Sequence, residues 1–171
     1  MPNHAHAHAL ARAHTHKHRP KQHPSYVTLF VALHSSDARD IAALSGIPIE
    51  VVLAQSALES NWGRTVEGNA FFGVKGKSAT GNSTTFATHE VTASGKRVSE
   101  TDEFRAFASY AEAAADYASL IQRKFPAAFA YRDDPVKFAN SVAKQHYATD
   151  PHYGEKLGSI IRAHITPILD K

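Results

Sequence analysis

The stretch LAQSALESNWG, residues 53–63, decides how this chain is read. Leu53, Ala54, Ala57 and Leu58 have the spacing of one buried helix face. An acid, Glu59, follows them directly, and Asn61 and Gly63 come next as helix-ending residues. Upstream, Gly46 closes an earlier helix and Pro48 opens a new one at a first-turn position. The segment PIEVVLAQSALES, residues 48–60, is therefore predicted to be a helix, with Ile49, Val52, Leu53 and Ala57 repeating near the helical period. A carboxylate at the end of an apolar helix needs an explanation, and the rest of the chain supplies one.

Working outward, residues 1–24 differ from everything after them. They carry seven of the twelve histidines, no acid and few bulky side chains. Such a segment buries too little surface to offset its ordering entropy, so disorder is expected. It reads as an expression tag or a solvated basic tail, or else as a loose divalent-metal binder through its His-x-His spacing. From Pro24 onward the pattern is globular. Residues 26–46, YVTLFVALHSSDARDIAALSG, read as one or two helical pieces with a break near Ser35 or Ser36, where a serine can cap the next piece. Residues 70–107 turn rich in Gly, Ser and Thr. Short β-like runs there alternate with turn signals at Gly81-Asn82 and Ser94-Gly95, which predicts a small antiparallel lobe of two or three strands. Helices then return. Ser109 and Glu112 form a capping-box pair, and Asp134-Pro135 and Asp150-Pro151 each place a capping acid before a first-turn proline. The fold class expected is α+β with segregated parts, and a groove between the lobes is the natural site.

Composition narrows the chemistry. The chain has 171 residues, 43% of them hydrophobic, which is enough for one core. Its net charge is +3, a mild bias, and no basic stripe interleaved with aromatics points to nucleic acid. There is no cysteine, so disulfides, thiolate catalysis and Cys-type zinc sites are excluded together. No apolar run reaches the ~20 residues of a membrane span. No nucleophile elbow, zinc-protease motif, phosphate-binding glycine loop or EF-hand pattern occurs. His89, His146, His152 and His164 lack ligand spacing, so neither a metal nor another cofactor is expected.

Glu59 is the leading catalytic candidate. Against an apolar face at a cleft rim, desolvation lifts a carboxyl above its ordinary value of ~4.3. A proton kept near neutral pH makes a general acid for a leaving-group oxygen. The plainer alternative is a solvated helix-end glutamate paired with Arg64. Glycoside hydrolysis ordinarily uses a second carboxylate, and its separation from the first separates a retaining from an inverting mechanism. Glu67, Glu90, Glu100, Asp102 and Glu103 are all in or beside the β lobe, and composition does not choose among them.

Five segments in order narrow the choice: AQSALESNWG, NAFFGVKG, TTFATHE, FRAFASYAEAAADYASLI and YATDPHYGEKL. Together, over roughly residues 25–168, they resemble glycoside hydrolase family 73, the glucosaminidases of flagellar-type hydrolases and autolysins. The resemblance implies a lysozyme-like fold, with a helical lobe and a β lobe flanking a glycan groove. It also implies cleavage of the β-1,4 bond between N-acetylglucosamine and N-acetylmuramic acid in peptidoglycan. Glu59 then matches the catalytic acid and Glu90 the β-lobe glutamate that assists as base or stabiliser. Tyr147 matches an active-site tyrosine that bonds the acetamido group or steadies developing charge. Trp62, Asn69, Phe71, Phe72 and Tyr153 match positions near substrate. Of these, Trp62, Phe71 and Phe72 also read as packing, and Asn69 as a turn-former. Two departures stand out. Asn61 replaces a common glycine, and HEVTASG is one residue longer than the usual turn after Glu90, which bears on that residue's reach.

Glycan strands of peptidoglycan are thus the expected partner, acted on by a monomer in the periplasm or cell wall. A flagellar or secretion-apparatus component is a further candidate partner. With neither a rod-capping domain before it nor a cell-wall repeat after it, the chain is expected to be a stand-alone enzyme, an excised catalytic domain, or a hydrolase delivered by a partner. The rival readings are a lytic transglycosylase, a non-catalytic glycan-binding module and a metal-binding protein led by the His-rich tail.

Overall fold

The computed structural model describes residues 22–171, so the expectations for the His-rich segment lie almost wholly outside the described residues. Helix α1 spans Ser25–Ser45, α2 Ile49–Glu59, α3 Tyr110–Lys124, α4 Pro135–Lys144 and α5 Tyr153–Ile160. A 3-10 helix, Pro126–Tyr131, joins α3 to α4. A π turn, Ile161–Ile165, carries α5 into the short α6, Thr166–Leu169. Strands β1, Ser83–Val91, and β2, Arg97–Arg105, form one antiparallel hairpin.

Helix α2 is the axis of the molecule. Its residues Val51 to Ala57 are all buried, including Gln55 and Ser56. The sequence pattern predicted one apolar face, but helices cover this helix on every side. Phe30 and Val31 of α1, Phe138 and Val142 of α4, and Leu157 of α5 join it in one core. Each fully buried Val or Leu side chain there contributes about 1.5–3 kcal/mol, so α2 is held by its surroundings rather than by helix propensity.

Three local expectations change. Helix α1 runs unbroken through Ser35 and Ser36. Interior serine costs only a few tenths of a kcal/mol, and the buried face from Val27 to Ala38 continues across it. Pro48 is the residue before α2, not its first turn, and its carbonyl accepts from Val51 and Val52. Helix α5 begins at Tyr153, two residues beyond Pro151. Asp150 instead holds the preceding turn, its carboxylate accepting from the His152 N–H at 2.8 Å.

Other signals read as expected. Gly46 ends α1 in the left-handed region at φ 81°. Ser109 accepts from the Glu112 N–H, and Asp134 from the Lys137 N–H. Glu112 answers with its carboxylate on the Ala108 N–H. The β lobe has two strands. The segment after Gly73 runs beside β2 through Arg105 N–H to Val74 at 2.8 Å and Gly76 N–H to Glu103 at 2.9 Å, with a single bridge between Lys75 and Phe104.

Candidate active site

The groove opens where the end of α2 faces the hairpin and the loop between α4 and α5. It has a volume of about 590 Å³, and its walls include Glu59, Gly73, Lys75, Phe86, Glu90, Tyr147 and Tyr153. Glu59 is the last residue of α2. The chain then reverses through three consecutive left-handed residues, Asn61 (φ 50°), Trp62 (φ 58°) and Gly63 (φ 74°). Asparagine tolerates this region and a bulky tryptophan rarely enters it, so the turn is held from outside. The Trp62 N–H reaches back to the Ala57 carbonyl at 2.7 Å, and Ser60 Oγ accepts from the Gly63 N–H at 2.9 Å.

One oxygen of Glu59, Oε1, accepts from the Tyr153 hydroxyl at 2.9 Å. The other, Oε2, lies against Gly73, whose positive φ of 61° and missing side chain let the backbone pass close by. Burial pushes the Glu59 carboxyl up to about 7, opposed by the Tyr153 bond and reinforced by the charge of Glu90. A group titrating there is half protonated at neutral pH, as a general acid requires.

Glu90 stands on β1, paired with Val98. Its Oε1 lies 3.2 Å from Lys75 Nζ, and its Oε2 accepts from Thr149 Oγ1 at 2.8 Å. Thr149 belongs to the α4–α5 loop, so this bond ties the hairpin to the helical lobe. The turn at 92–96 leaves Glu90 on the groove wall. Lys75 also holds Asp102 at 2.9 Å. These two hydrogen bonds, Asp102 first, raise the Lys75 ammonium above its ordinary value. Glu90, Glu100 and Asp102 bring carboxylate oxygens within 4.8 Å of one another. Two of these three acids already pair with Lys75. Beside them Phe86 and Phe104 stack at 4.3 Å.

Tyr147 and Tyr153 stack with their rings 11° apart. Burial raises both phenols well above the usual range, with the nearby Glu59 carboxylate adding to it. The Tyr147 hydroxyl donates to the Phe72 carbonyl at 2.6 Å, so its one hydrogen is committed and only its oxygen lone pairs remain for a ligand.

The structure therefore brings Glu59, Glu90, Tyr147 and Tyr153 together. It sets Trp62, Asn69, Phe71 and Phe72 outside the groove lining. Trp62 packs edge-on against Phe30 and His164. Asn69, itself left-handed at φ 52°, donates to the Phe107 carbonyl at 3.0 Å. Phe71 and Phe72 are core residues, Phe72 stacked on Tyr117. The resemblance made them candidates, and their apolar size buries them. Sequence reasoning missed Gly73, Lys75, Gln55 and Thr149. Gln55 alone carried a usable signal: a large polar residue one turn before Glu59, inside a run that Ser56 alone otherwise interrupts.

A family model, "Glucosaminidase: Mannosyl-glycoprotein endo-beta-N-acetylglucosaminidase", matches residues 35–166. The chain belongs to the glucosaminidase family. This glucosaminidase domain is 34% identical over 141 residues to the peptidoglycan hydrolase FlgJ of Escherichia coli, covering 78% of the chain and 45% of that protein. The chain thus spans less than half the length of this curated relative. Among solved structures, the C-terminally truncated glycoside hydrolase domain of Salmonella typhimurium FlgJ aligns at 33% identity with a TM-score of 0.65, covering 82% of this chain and 98% of that one. A peptidoglycan hydrolase mutant from Sphingomonas sp. A1 aligns at 29% identity with a TM-score of 0.74, covering 84% and 99%. The α+β, lysozyme-like architecture expected from the sequence is the one found in this glucosaminidase.

Proposed function

We propose that this domain hydrolyses peptidoglycan, cutting the β-1,4 bond between N-acetylglucosamine and N-acetylmuramic acid with Glu59 as general acid. The observation that carries the proposal is the Glu59 carboxyl, lifted to about 7 at the wall of a groove of about 590 Å³. A glycan strand lies between hairpin and helices. The glycosidic oxygen takes the Glu59 proton as the bond breaks, and positive charge develops at the sugar ring. Glu90 faces that charge as a carboxylate held by Lys75 and Thr149. It stabilises the charge or activates the incoming water, and the sugar's own acetamido group is the alternative nucleophile. Tyr147 and Tyr153 wall the groove beside Glu59. Tyr153 bonds the catalytic carboxyl, while the free lone pairs of Tyr147 suit an acetamido N–H. Peptidoglycan lies outside the cytoplasm, so the periplasm or cell wall is the proposed location. A flagellar or secretion-apparatus component is proposed as a delivery partner, and the protein as a monomer. None of the described helices is long and apolar enough to cross a membrane.

The test is digestion of purified peptidoglycan with mass spectrometry of the products, wild type beside Glu59→Gln. Expected are new reducing N-acetylglucosamine ends from the wild type and none from the variant. A 1,6-anhydromuramic product would make the protein a lytic transglycosylase. Lysis by Glu59→Gln at the wild-type rate would remove Glu59 from the mechanism.

A further inference from the structure

Behind Glu59, a chain of polar groups runs from Tyr153 at the groove wall into the apolar core. Tyr117 donates its hydroxyl hydrogen to Gln55 Oε1. Gln55 Nε2 donates to the Tyr153 oxygen at 3.2 Å, and Tyr153 donates to Glu59 Oε1 at 2.9 Å. Gln55 and Tyr117 are both 0% exposed and Tyr153 is 3% exposed. Buried polar groups in an otherwise apolar core need a reason, because each costs desolvation unless it is bonded.

We propose that Gln55 is a positioning residue that fixes the direction of this chain, so that the acid proton of Glu59 resides on Oε2, at the groove, and not on Oε1, at Tyr153. The inference rests on the reading of Glu59 as general acid.

The direction follows from counting hydrogens. An amide can face its neighbours either way round, offering oxygen to one and N–H to the other. The Tyr117 hydroxyl makes no other hydrogen bond among the described residues. Its hydrogen would be a buried donor with no acceptor if Gln55 turned its NH₂ toward it, which is the costly arrangement. Gln55 therefore keeps its oxygen toward Tyr117 and its N–H toward Tyr153. Tyr153 then meets a donor on one side, so its own hydrogen has one acceptor left, Glu59 Oε1. A protonated carboxyl has one hydrogen and two oxygens. With Oε1 already accepting, the hydrogen goes to Oε2. That oxygen lies against Gly73, which carries no side chain and which, like Glu59, lines the groove. Each bond in the chain also polarises the next. The N–H of Gln55 makes the Tyr153 phenol a stronger donor, and that donor favours the Glu59 carboxylate.

Two variants test this without touching Glu59 or the groove: Tyr117→Phe, which unlocks the amide, and Gln55→Met, which keeps the volume and removes it. Two readouts apply to each folded variant: NMR titration of the Glu59 side-chain carboxyl, and kcat and KM on soluble glycan fragments of peptidoglycan. The expected result is a Glu59 midpoint above its wild-type value near 7, a kcat lower by about tenfold, and an unchanged KM. A purely structural role would lower stability and leave the midpoint in place. Either folded variant titrating and turning over like the wild type overturns the inference. Glu59→Gln keeps the two failures apart. If it is inactive while Tyr117→Phe and Gln55→Met behave as wild type, only the role of Gln55 falls. If it stays active, the general-acid reading falls first.

Discussion

A methyl group on Gly73 would stand 2.5 Å from Oε2 of Glu59. Real Cβ atoms do not sit that close to an oxygen, so one of the two must move. Gly73→Ala is expected to displace the Glu59 carboxyl and lower the hydrolysis rate by ~10²-fold or more, the scale of a lost general acid. Its φ of +61° adds about 1–2 kcal/mol of backbone strain for any L side chain. Thermal unfolding measured beside turnover separates the two effects. Wild-type turnover in Gly73→Ala would show that the close approach has no bearing on catalysis.

The pH dependence of both activity and stability follows from Glu59. With Glu59 as the proposed general acid, activity is expected to need its protonated form and to fall on the alkaline side with a midpoint near 7. For stability, the folded value of about 7 stands above the unfolded 4.5. The folded state therefore holds this proton more tightly. The corresponding stability is complete below pH 4.5 and is lost as pH rises through 7. Glu59→Gln removes the dependence. Denaturant unfolding should show it more stable than the wild type at pH 8, by at most about 3 kcal/mol at ~1.36 kcal/mol per pH unit, and no more stable at pH 4. Equal stability at both pH values would mean that the carboxyl is not desolvated.

Lys75 joins Glu90 and Asp102 at 3.2 and 2.9 Å and is itself 52% exposed. An exposed pair contributes little to folding, about 0–1 kcal/mol. Lys75→Met should therefore unfold near the wild-type temperature. Without the ammonium, the neighbouring carboxylates of Glu90, Glu100 and Asp102 repel one another, and Glu90 keeps only Thr149 of the two partners that fix its direction. A lower kcat at nearly unchanged stability is expected from kinetics and calorimetry on the same preparation. Unchanged kcat would remove Glu90 positioning from the role of Lys75.

His34 lies flat on Tyr110 at 4.1 Å and edge-on to Phe30 and Phe71. Burial among these rings lowers its value below 6.5, against the smaller opposing effect of Asp37. The folded state thus binds this proton less readily than the unfolded state. The stability is present above pH 6.5 and is lost as pH falls through the lower folded value. His34→Phe keeps the aromatic contacts and should flatten the acid side of the stability curve, measured by urea unfolding from pH 8 to 5. An unchanged slope would show that the ring is solvated.

Much of this was legible in sequence because local chemistry decides it. The glycine at 46, the serine at 109 and the acid at 134 each satisfy or release backbone groups within a few residues, and each does so in the structure. The turns at Gly81, just before β1, and at Gly95, between the two strands, follow the same rule, both at positive φ. What failed depends on distant partners. The seven-residue stretch from Val51 to Ala57 reads as one face until α4 and α5 are known to cover the others. Trp62 and Phe71 read mainly as packing, with a sugar platform as the second reading, and the packing of Phe30 of α1 against them decides. Gly73 and Lys75 matter because of what the fold brings opposite them, Glu59 in one case and Glu90 with Asp102 in the other. No spacing rule along the chain connects those pairs.

The left-handed run at residues 61–63 fixes the length of α2 at its exit, as Pro48 fixes it at its entrance. Between these two stops the helix works as a ruler with the acid at its final mark. One inserted or deleted residue would swing Glu59 by about 100° around the axis, from the groove into the helical packing. Substitutions along α2 can be absorbed by repacking, whereas a change in its residue count cannot, so the register of this segment is the least negotiable property of the chain.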